Sequence, residues 1–161
     1  MKTLKLLVFS DTHGLESNIE KAIKAHGEKA DALIFLGDGI LGANEIFGRY
    51  PHIPHVCVRG NCDLYASSEV DEALVDIGGI KILCMHGHKY SVKGTIMRAV
   101  YRAREREADL LLFGHTHEPL CRKEEGIVVF NPGSLGLGYP ERTYGVVEIA
   151  DGEIICGHGK L

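Results

Sequence analysis

Residues 4–14 read Leu-Lys-Leu-Leu-Val-Phe-Ser-Asp-Thr-His-Gly. The mostly apolar run over residues 4–9 predicts a buried β-strand, and the polar residues that follow it predict a loop. The same pattern recurs at residues 31–36 and 54–58, where each apolar run is followed by glycine beside Asp or Asn. The sequence therefore predicts buried strands whose following loops carry chemically useful side chains.

Helical segments separate these strands. Residues 16–26 repeat apolar side chains at helical spacing, and a shorter helix is expected at about residues 42–49. The resulting strand–helix–strand–helix–strand order favours a parallel sheet, whose loops leave from the carboxyl ends of the strands.

The second half of the chain is richer in hairpins. Glycines at turn positions predict three of them, and an amphipathic helix and a short strand lie between the first and second. The hairpins are expected at residues 73–85, 119–130 and 145–156, the helix at residues 93–108 and the strand at residues 110–113. We therefore predict an α/β fold, a four-layer α/β/β/α sandwich of two mixed sheets flanked by helices, forming one domain over residues 1–161.

Composition narrows the class of protein. The 161 residues are 45% hydrophobic and 25% charged, with a formal net charge of -4, which is typical of a globular protein. No run of Lys or Arg exceeds two residues, which argues against an extended nucleic-acid surface, and no apolar stretch is long enough to span a membrane. The five cysteines form no C-x-x-C pair, so we expect reduced, mostly buried thiols and a cytoplasmic protein.

Five short motifs follow the predicted strands. Asp11 and His13 are two positions apart, so both would point the same way in an extended segment, and His115 and His117 repeat that spacing. Asp38 lies between glycines, which leaves its carboxylate free to bridge. The motifs are Asp11-Thr12-His13, Gly37-Asp38, Gly60-Asn61-Cys62-Asp63, His86-Gly87-His88 and Gly114-His115-Thr116-His117.

These side chains are the ligand types of a two-metal hydrolytic centre. Two divalent ions carry four positive charges, and two carboxylates with a bridging hydroxide remove three, which leaves a charge suited to an anionic phosphate ester. Nitrogen and oxygen ligands without thiolates favour Mn, with Ni, Co, Fe or Zn as alternatives, over Mg or Ca alone.

The five motifs, in this order, resemble the calcineurin-like metallophosphoesterase superfamily. Within it the chain is most similar to small bacterial and archaeal phosphodiesterases without a cap domain that carry Gly-Asn-Cys-Asp. The resemblance implies two metal ions bridged by Asp38. It implies one ion held by Asp11, His13, Asp38 and His117, and a second held by Asp38, Asn61, His86 and His115.

Catalytic roles are expected for Asn61, Cys62 and His86. Many superfamily members have His after the motif Asn, where it is thought to protonate the leaving group or stabilise the transition state. Cys62 takes that position here, and a thiol with a pKa of about 8.5 is a weaker donor than imidazolium. Cys62 is therefore either a proton donor for good leaving groups or a small side chain that fills space.

Several neighbouring residues have supporting roles in this interpretation. The Asn131-Pro132-Gly133-Ser134 segment could orient a ligating His or contact the phosphoryl group, and His88 could face the same cleft. Asp63 is expected to hydrogen-bond its own loop. A set of apolar side chains is assigned to the core by default, with an exposed interface patch as the alternative: Ile40, Leu41, Phe47 and Tyr50.

The predicted function is a dinuclear metal-dependent phosphodiesterase that uses a metal-bridging hydroxide. A scaffold protein without catalysis is the alternative from another class, because fold alone does not fix function. A phosphomonoesterase is a third candidate, but only Arg59 and Lys89 add positive charge beside the motifs. The expected partners are a small phosphodiester and further copies of the chain in a homodimer or homotetramer.

Overall fold

A computed structural model of the chain describes residues 2–136 and 141–161 and arranges them in two five-stranded sheets. The strands of the first sheet are β1 (Leu4–Phe9), β2 (Ala32–Phe35), β3 (His55–Cys57), β9 (Thr143–Ala150) and β10 (Glu153–Lys160). Their order is β10-β9-β1-β2-β3. The strands β1, β2 and β3 are parallel, and β9 runs antiparallel to both of its neighbours.

The second sheet has the order β4-β5-β6-β8-β7. The three central strands are parallel, and each edge strand is antiparallel to its neighbour. Its strands are β4 (Glu72–Ile77), β5 (Ile80–Met85), β6 (Leu110–Leu112), β7 (Leu120–Glu124) and β8 (Ile127–Asn131). The helices are α1 (Ser17–Ala25), α2 (Ile40–Phe47) and α3 (Met97–Glu105), with a short 3₁₀ helix at His88–Tyr90.

The buried side chains form three layers of packing. Successive residues of β1 alternate between two of them, because side chains on a strand point to opposite faces. Leu7 and Phe9 pack against α1 and α2, whereas Leu6 and Val8 face the second sheet. The outer face of the second sheet packs against α3 through residues such as Leu83. The predicted α/β/β/α sandwich is thus confirmed.

The third helix differs from its prediction. It begins and ends inside the expected range of 93–108, and Glu107 beyond its end has a φ of 57°, which no α-helix can include. Helical spacing predicts Tyr101 on the apolar side together with Val100, but Tyr101 is 54% exposed. The i,i+3 spacing of Arg102 and Glu105 predicts an ion pair, which is present at 3.1 Å. The same spacing predicts a pair of Arg104 with Glu107, which is wrong, because Arg104 instead contacts Glu125 in the β7–β8 turn at 3.3 Å.

The second helix starts at Ile40, two residues before the predicted start. Three members of the suggested apolar patch are buried, but Leu41 is 63% exposed. The expectation of mostly buried thiols was also wrong. All five cysteines lie in the described residues as free thiols; Cys84 is buried, whereas Cys62 and Cys121 are exposed. No helix within the described residues has the length and apolar character to cross a membrane.

Candidate metal centre

The loops that carry the motifs meet at the carboxyl ends of the parallel strands. The backbone N–H of Asp11 donates to the carbonyl of Gly37 at 2.9 Å, which joins the loops after β1 and β2. The N–H of Gly114 donates to the carbonyl of His86 at 3.0 Å, which joins the loops after β6 and β5. These bonds hold the motif side chains of each sheet close together.

Each carboxylate of the site is anchored through one of its two oxygens. Oδ2 of Asp11 accepts a hydrogen bond from the Ser10 hydroxyl at 2.6 Å and another from the His115 N–H at 3.0 Å. Oδ1 of Asp38 accepts a hydrogen bond from the Cys62 N–H at 2.8 Å. The remaining oxygens, Oδ1 of Asp11 and Oδ2 of Asp38, both face imidazole rings.

The first group of side chains surrounds Oδ1 of Asp11. His117 Nε2 lies 3.2 Å and His13 Nε2 lies 3.5 Å from that oxygen, and the two nitrogens are 3.3 Å apart. The three ligand-type atoms therefore converge on a space of the size that one cation fills.

The second group surrounds Oδ2 of Asp38. His86 Nε2 lies 3.2 Å from that oxygen, and His115 Nδ1 lies 3.2 Å from His86 Nε2. Oδ2 of Asp38 is also 3.7 Å from His13 Nε2, which belongs to the first group. Asp38 therefore lies between the two groups, where a bridging carboxylate would be needed.

Burial and hydrogen bonds to histidine determine the charge of the two carboxyl groups. Burial would raise the pKa of Asp11, but hydrogen bonds to His117 and His13 outweigh it and hold the pKa well below its usual range. Burial likewise opposes ionisation of Asp38, yet the hydrogen bond with His86 lowers its pKa. Both carboxyl groups are therefore anionic at neutral pH and available to a cation.

The two imidazoles of the second group, His86 and His115, are also prepared to bind a cation. Nδ1 of His86 is 2.7 Å from the Leu36 carbonyl, which fixes Nδ1 as the donor and leaves Nε2 to face Asp38. Burial would lower the pKa of His86, but the hydrogen bond with Asp38 raises it. Burial and the neighbouring charge of His86 lower the pKa of His115 to about 4, so its ring is neutral. A metal ion would replace the proton that His86 otherwise retains.

Five motif residues have the left-handed backbone conformation that non-glycine residues rarely adopt. Their φ angles are 55° at Asp11, 45° at His13, 63° at Asp38, 71° at His115 and 63° at His117. The expectation that Asp11 and His13 lie in an extended segment was therefore wrong. The side chains converge through tight left-handed turns, and such strain is concentrated at functional sites.

Asp63 holds the loop that contains Asp38. Its Oδ2 accepts hydrogen bonds from the N–H groups of Asp38 and Gly60, each at 2.8 Å. Its Oδ1 accepts from Gly39 at 2.8 Å and from Ile40 at 3.1 Å, at the start of α2. The structure places Asp63 in the loop-bonding role that was predicted for it.

Asn61 and Cys62 lie at the exposed edge of the site. The thiol sulfur of Cys62 is within 4.8 Å of ligand-type atoms of His13 and Asp38. The amide nitrogen of Asn61 lies 3.5 Å from that sulfur, and its role as a metal ligand stays a prediction.

His88 lies beside the second group. Its ring centroid is 5.4 Å from that of His86 and 6.2 Å from that of His115. Its Nδ1 is buried and has no hydrogen-bond partner among the described residues. Burial lowers the pKa of His88, so this ring is neutral beside the centre.

The Asn131–Ser134 segment supports the site through side-chain hydrogen bonds to the ligand-bearing loops. The Asn131 amide donates to the carbonyl of Gly114 at 3.0 Å and to the hydroxyl of Thr116 at 3.1 Å, which holds the loop after β6. The hydroxyl of Ser134 donates to the carbonyl of Asp11 at 2.7 Å. The segment thus positions the loops that carry the candidate ligands, and its expected contact with the phosphoryl group stays a prediction.

Two supporting groups were missed in the sequence. Ser10 follows a buried strand directly, and a polar residue at that point was the available signal. Leu36 contributes only its backbone carbonyl, which no side-chain pattern reveals.

The donor set fits a divalent cation. Two anionic carboxylates and four imidazoles converge, and no Lys or Arg of the described chain forms an ion pair with either carboxylate. Carboxylate oxygens and imidazole nitrogens without thiolates in the two principal groups suit first-row transition metals.

Comparison with known proteins identifies the family. Residues 4–152 match the calcineurin-like phosphoesterase superfamily domain. The chain therefore belongs to the calcineurin-like phosphoesterase superfamily, as the order of its motifs indicated.

Individual relatives agree with this. The probable metallophosphoesterase YsnB of Bacillus subtilis (strain 168) is 38% identical over 141 residues, covering 87% of this chain and 80% of that protein. Phosphodiesterase YfcE of Escherichia coli (strain K12) is 26% identical over 172 residues, covering 90% of this chain and 88% of that protein. This chain also superposes on the crystal structure of a conserved protein from Streptococcus pneumoniae TIGR4, a predicted phosphoesterase. The TM-score is 0.86 at 29% identity, and the match covers 99% of this chain and 91% of that one.

Proposed function

We propose that the protein is a phosphodiesterase that works with two divalent metal ions. One observation carries the proposal: two buried carboxylates, each anchored through one oxygen, turn the other oxygen toward a pair of imidazoles. The first ion would be held by Asp11, His13, Asp38 and His117, and the second by Asp38, Asn61, His86 and His115.

The protein groups have distinct roles in this proposal. Asp38 joins the two sites, because its free oxygen faces both His13 and His86. The Leu36 carbonyl keeps the lone pair of His86 Nε2 directed into the centre. When bound, the metal ions would supply the positive charge that activates water and neutralises the phosphoryl oxygens. Mn is the first choice, with Ni, Co, Fe or Zn as alternatives.

The charges beside the centre favour a diester over a monoester. Arg59 Nε lies 3.0 Å from Asp71 Oδ1, and the Lys89 ammonium also contacts the Asp71 carboxylate. Both cations are therefore partly neutralised. A monoester dianion needs more positive charge than a diester monoanion, so the diester suits this environment better.

Cys62 is proposed to face the leaving group. Burial and the nearby Asp38 raise the pKa of its thiol, so the sulfur stays protonated at neutral pH and offers a weak hydrogen-bond donor. We expect turnover of diesters with good leaving groups and slow turnover where the leaving alkoxide needs a strong acid. Cys62→His should raise turnover of poor leaving groups; an unchanged rate would refute this role.

A cytoplasmic location and a homodimer or homotetramer remain part of the proposal. The alternative function, a scaffold without catalysis, predicts that ligands of the site are dispensable for the protein's role.

The test is hydrolysis of bis(p-nitrophenyl) phosphate and p-nitrophenyl phosphate by metal-stripped protein, with Mn, Ni, Co, Zn and Mg returned separately. We expect metal-dependent turnover of the diester that exceeds that of the monoester. Asp38→Ala and His86→Ala should abolish it while Asp76→Ala, in an exposed hairpin, should not. Faster monoester turnover would favour the phosphomonoesterase, and metal binding without any turnover would favour the scaffold.

A further inference from the structure

Exposed large apolar side chains are concentrated around the metal centre. Of the eight that the described residues contain, four follow a candidate metal ligand within four positions in the sequence. A globular protein scatters single apolar residues over its surface, whereas a cluster beside a reactive centre indicates a binding surface. The four are Leu15, Leu41, Leu64 and Tyr65.

Three of these residues line one cleft, and we call them the apolar rim: Leu41, Leu64 and Tyr65. Their exposed fractions are 63%, 77% and 92%. The cleft has a volume of about 180 Å³, and Cys62 also lines it. Because the Cys62 sulfur lies beside His13 and Asp38, the cleft opens directly from the centre. A group bonded to a phosphorus atom held there would reach the apolar rim.

The charged side chains of the cleft are already engaged. Glu16 Oε1 accepts hydrogen bonds from the Gly14 N–H at 3.1 Å and from the Thr12 hydroxyl at 3.2 Å. Asp63 is bound by four backbone N–H groups. No Lys or Arg lines this cleft, all of whose lining residues are described. A second anionic group would therefore be repelled, whereas an uncharged apolar group would find matching surface.

We propose that the apolar rim binds an uncharged aromatic substituent of the phosphodiester while the metal centre holds its phosphate. Flat rings are favoured because Tyr65 offers a face for ring contact and the two leucines offer apolar edges. The inference rests on the proposed diesterase function and narrows its substrate class to diesters with at least one aromatic group. A second copy of this chain is the competing occupant of the same surface.

The test compares two diesters with poor leaving groups, diphenyl phosphate and dimethyl phosphate, as competitive inhibitors of bis(p-nitrophenyl) phosphate hydrolysis by the Mn²⁺-loaded protein. Both carry one negative charge, so the ratio of their inhibition constants measures the contribution of the phenyl groups rather than of the phosphate. We expect diphenyl phosphate to bind more tightly. The exposed double variant Leu64→Ser/Tyr65→Ser should weaken it about tenfold and change dimethyl phosphate less than about twofold. Tyr101→Ser, at a tyrosine that is 54% exposed on α3 away from the cleft, is the control and should leave the ratio unchanged.

The outcomes separate the two proposals. Intact diester turnover with an unchanged inhibitor ratio in the double variant would overturn the rim proposal and leave the diesterase standing. If the same variant also lost self-association in sedimentation, the rim would be a subunit contact and the proposal would again be overturned. Absence of turnover for every diester, with neither inhibitor bound, would overturn the proposed function itself.

Discussion

Replacement of Asp63 by Asn should loosen the centre without removing any candidate metal ligand. The Asp63 carboxylate accepts two backbone N–H groups on each oxygen. Asn keeps one of those oxygens and presents an NH₂ group to the other pair of donors. Two hydrogen bonds to a charged acceptor are therefore lost, and two donors face each other.

The magnitude follows from these contacts. A hydrogen bond to a charged group contributes about 1.5–3 kcal/mol, and the lower end applies because Asp63 is only partly buried. The free energy of unfolding should fall by about 3 kcal/mol, which lowers the melting temperature by roughly 6–12 °C for a chain of this size. Each pair of donors includes the N–H of Asp38 or of its neighbour Gly39, so either orientation of the Asn amide loosens the Asp38 loop, and metal affinity should fall by about 10- to 100-fold.

Urea unfolding and isothermal titration with Mn²⁺ measure the two effects. Asp76→Asn is the matched control, because that exposed carboxylate accepts a single hydrogen bond, from the Gly79 N–H at 3.0 Å. It should change stability by less than about 1 kcal/mol and leave Mn²⁺ affinity unaltered. If Asp63→Asn matched the control in both measurements, the proposed positioning of Asp38 by Asp63 would be refuted.

Two further substitutions test the packing of the centre and the fold. Gly60→Ala would place a Cβ 2.2 Å from Asp38 Oδ1, so Mn²⁺ affinity in the same titration should fall at least about tenfold. Gly157→Ala, with no atom within 4 Å, should not change it. Burial opposes ionisation of Glu72, but its hydrogen bonds with Arg102 lower its pKa below 4.5. The stability from this pair is therefore complete above pH 4.5 and lost as the pH falls through the lowered pKa. Glu72→Gln should cost about 1–2 kcal/mol in urea unfolding at neutral pH, and the difference from wild type should vanish in acid; a constant difference would contradict this sign.

The strands of the core and the loops of the centre were predictable because their signals are local. An apolar run that ends in glycine and a polar residue identifies both a buried strand and the point where its side chains become available, as at residues 4–14. The pairing of β9 with β1 was not predictable, because contacts between distant strands leave no pattern in either segment. The ion pair between Glu72 and Arg102 of α3 was not predictable for the same reason.

The sequence predicted which carboxylates and imidazoles would come together, but not the backbone geometry that brings them together. The side chains of the motifs indicated a metal centre, but the left-handed turns at Asp11 and His13 had no signal beyond the neighbouring glycine. Leu41 shows the limit of apolar patterns, since Ile40 beside it is fully buried and Leu41 is not. Which side of a short helix faces the core depends on tertiary packing, and that packing also decides where a substrate surface can form.

Two adjacent ions bridged by Asp38 are the central claim, and electron paramagnetic resonance of Mn²⁺-loaded protein with measured stoichiometry tests it most directly. The account predicts two Mn²⁺ per chain and a spectrum of spin-coupled ions, since the two ligand groups share Oδ2 of Asp38. Asp38→Asn should abolish the coupling. One ion per chain, or two ions with uncoupled spectra in the wild-type protein, would contradict it.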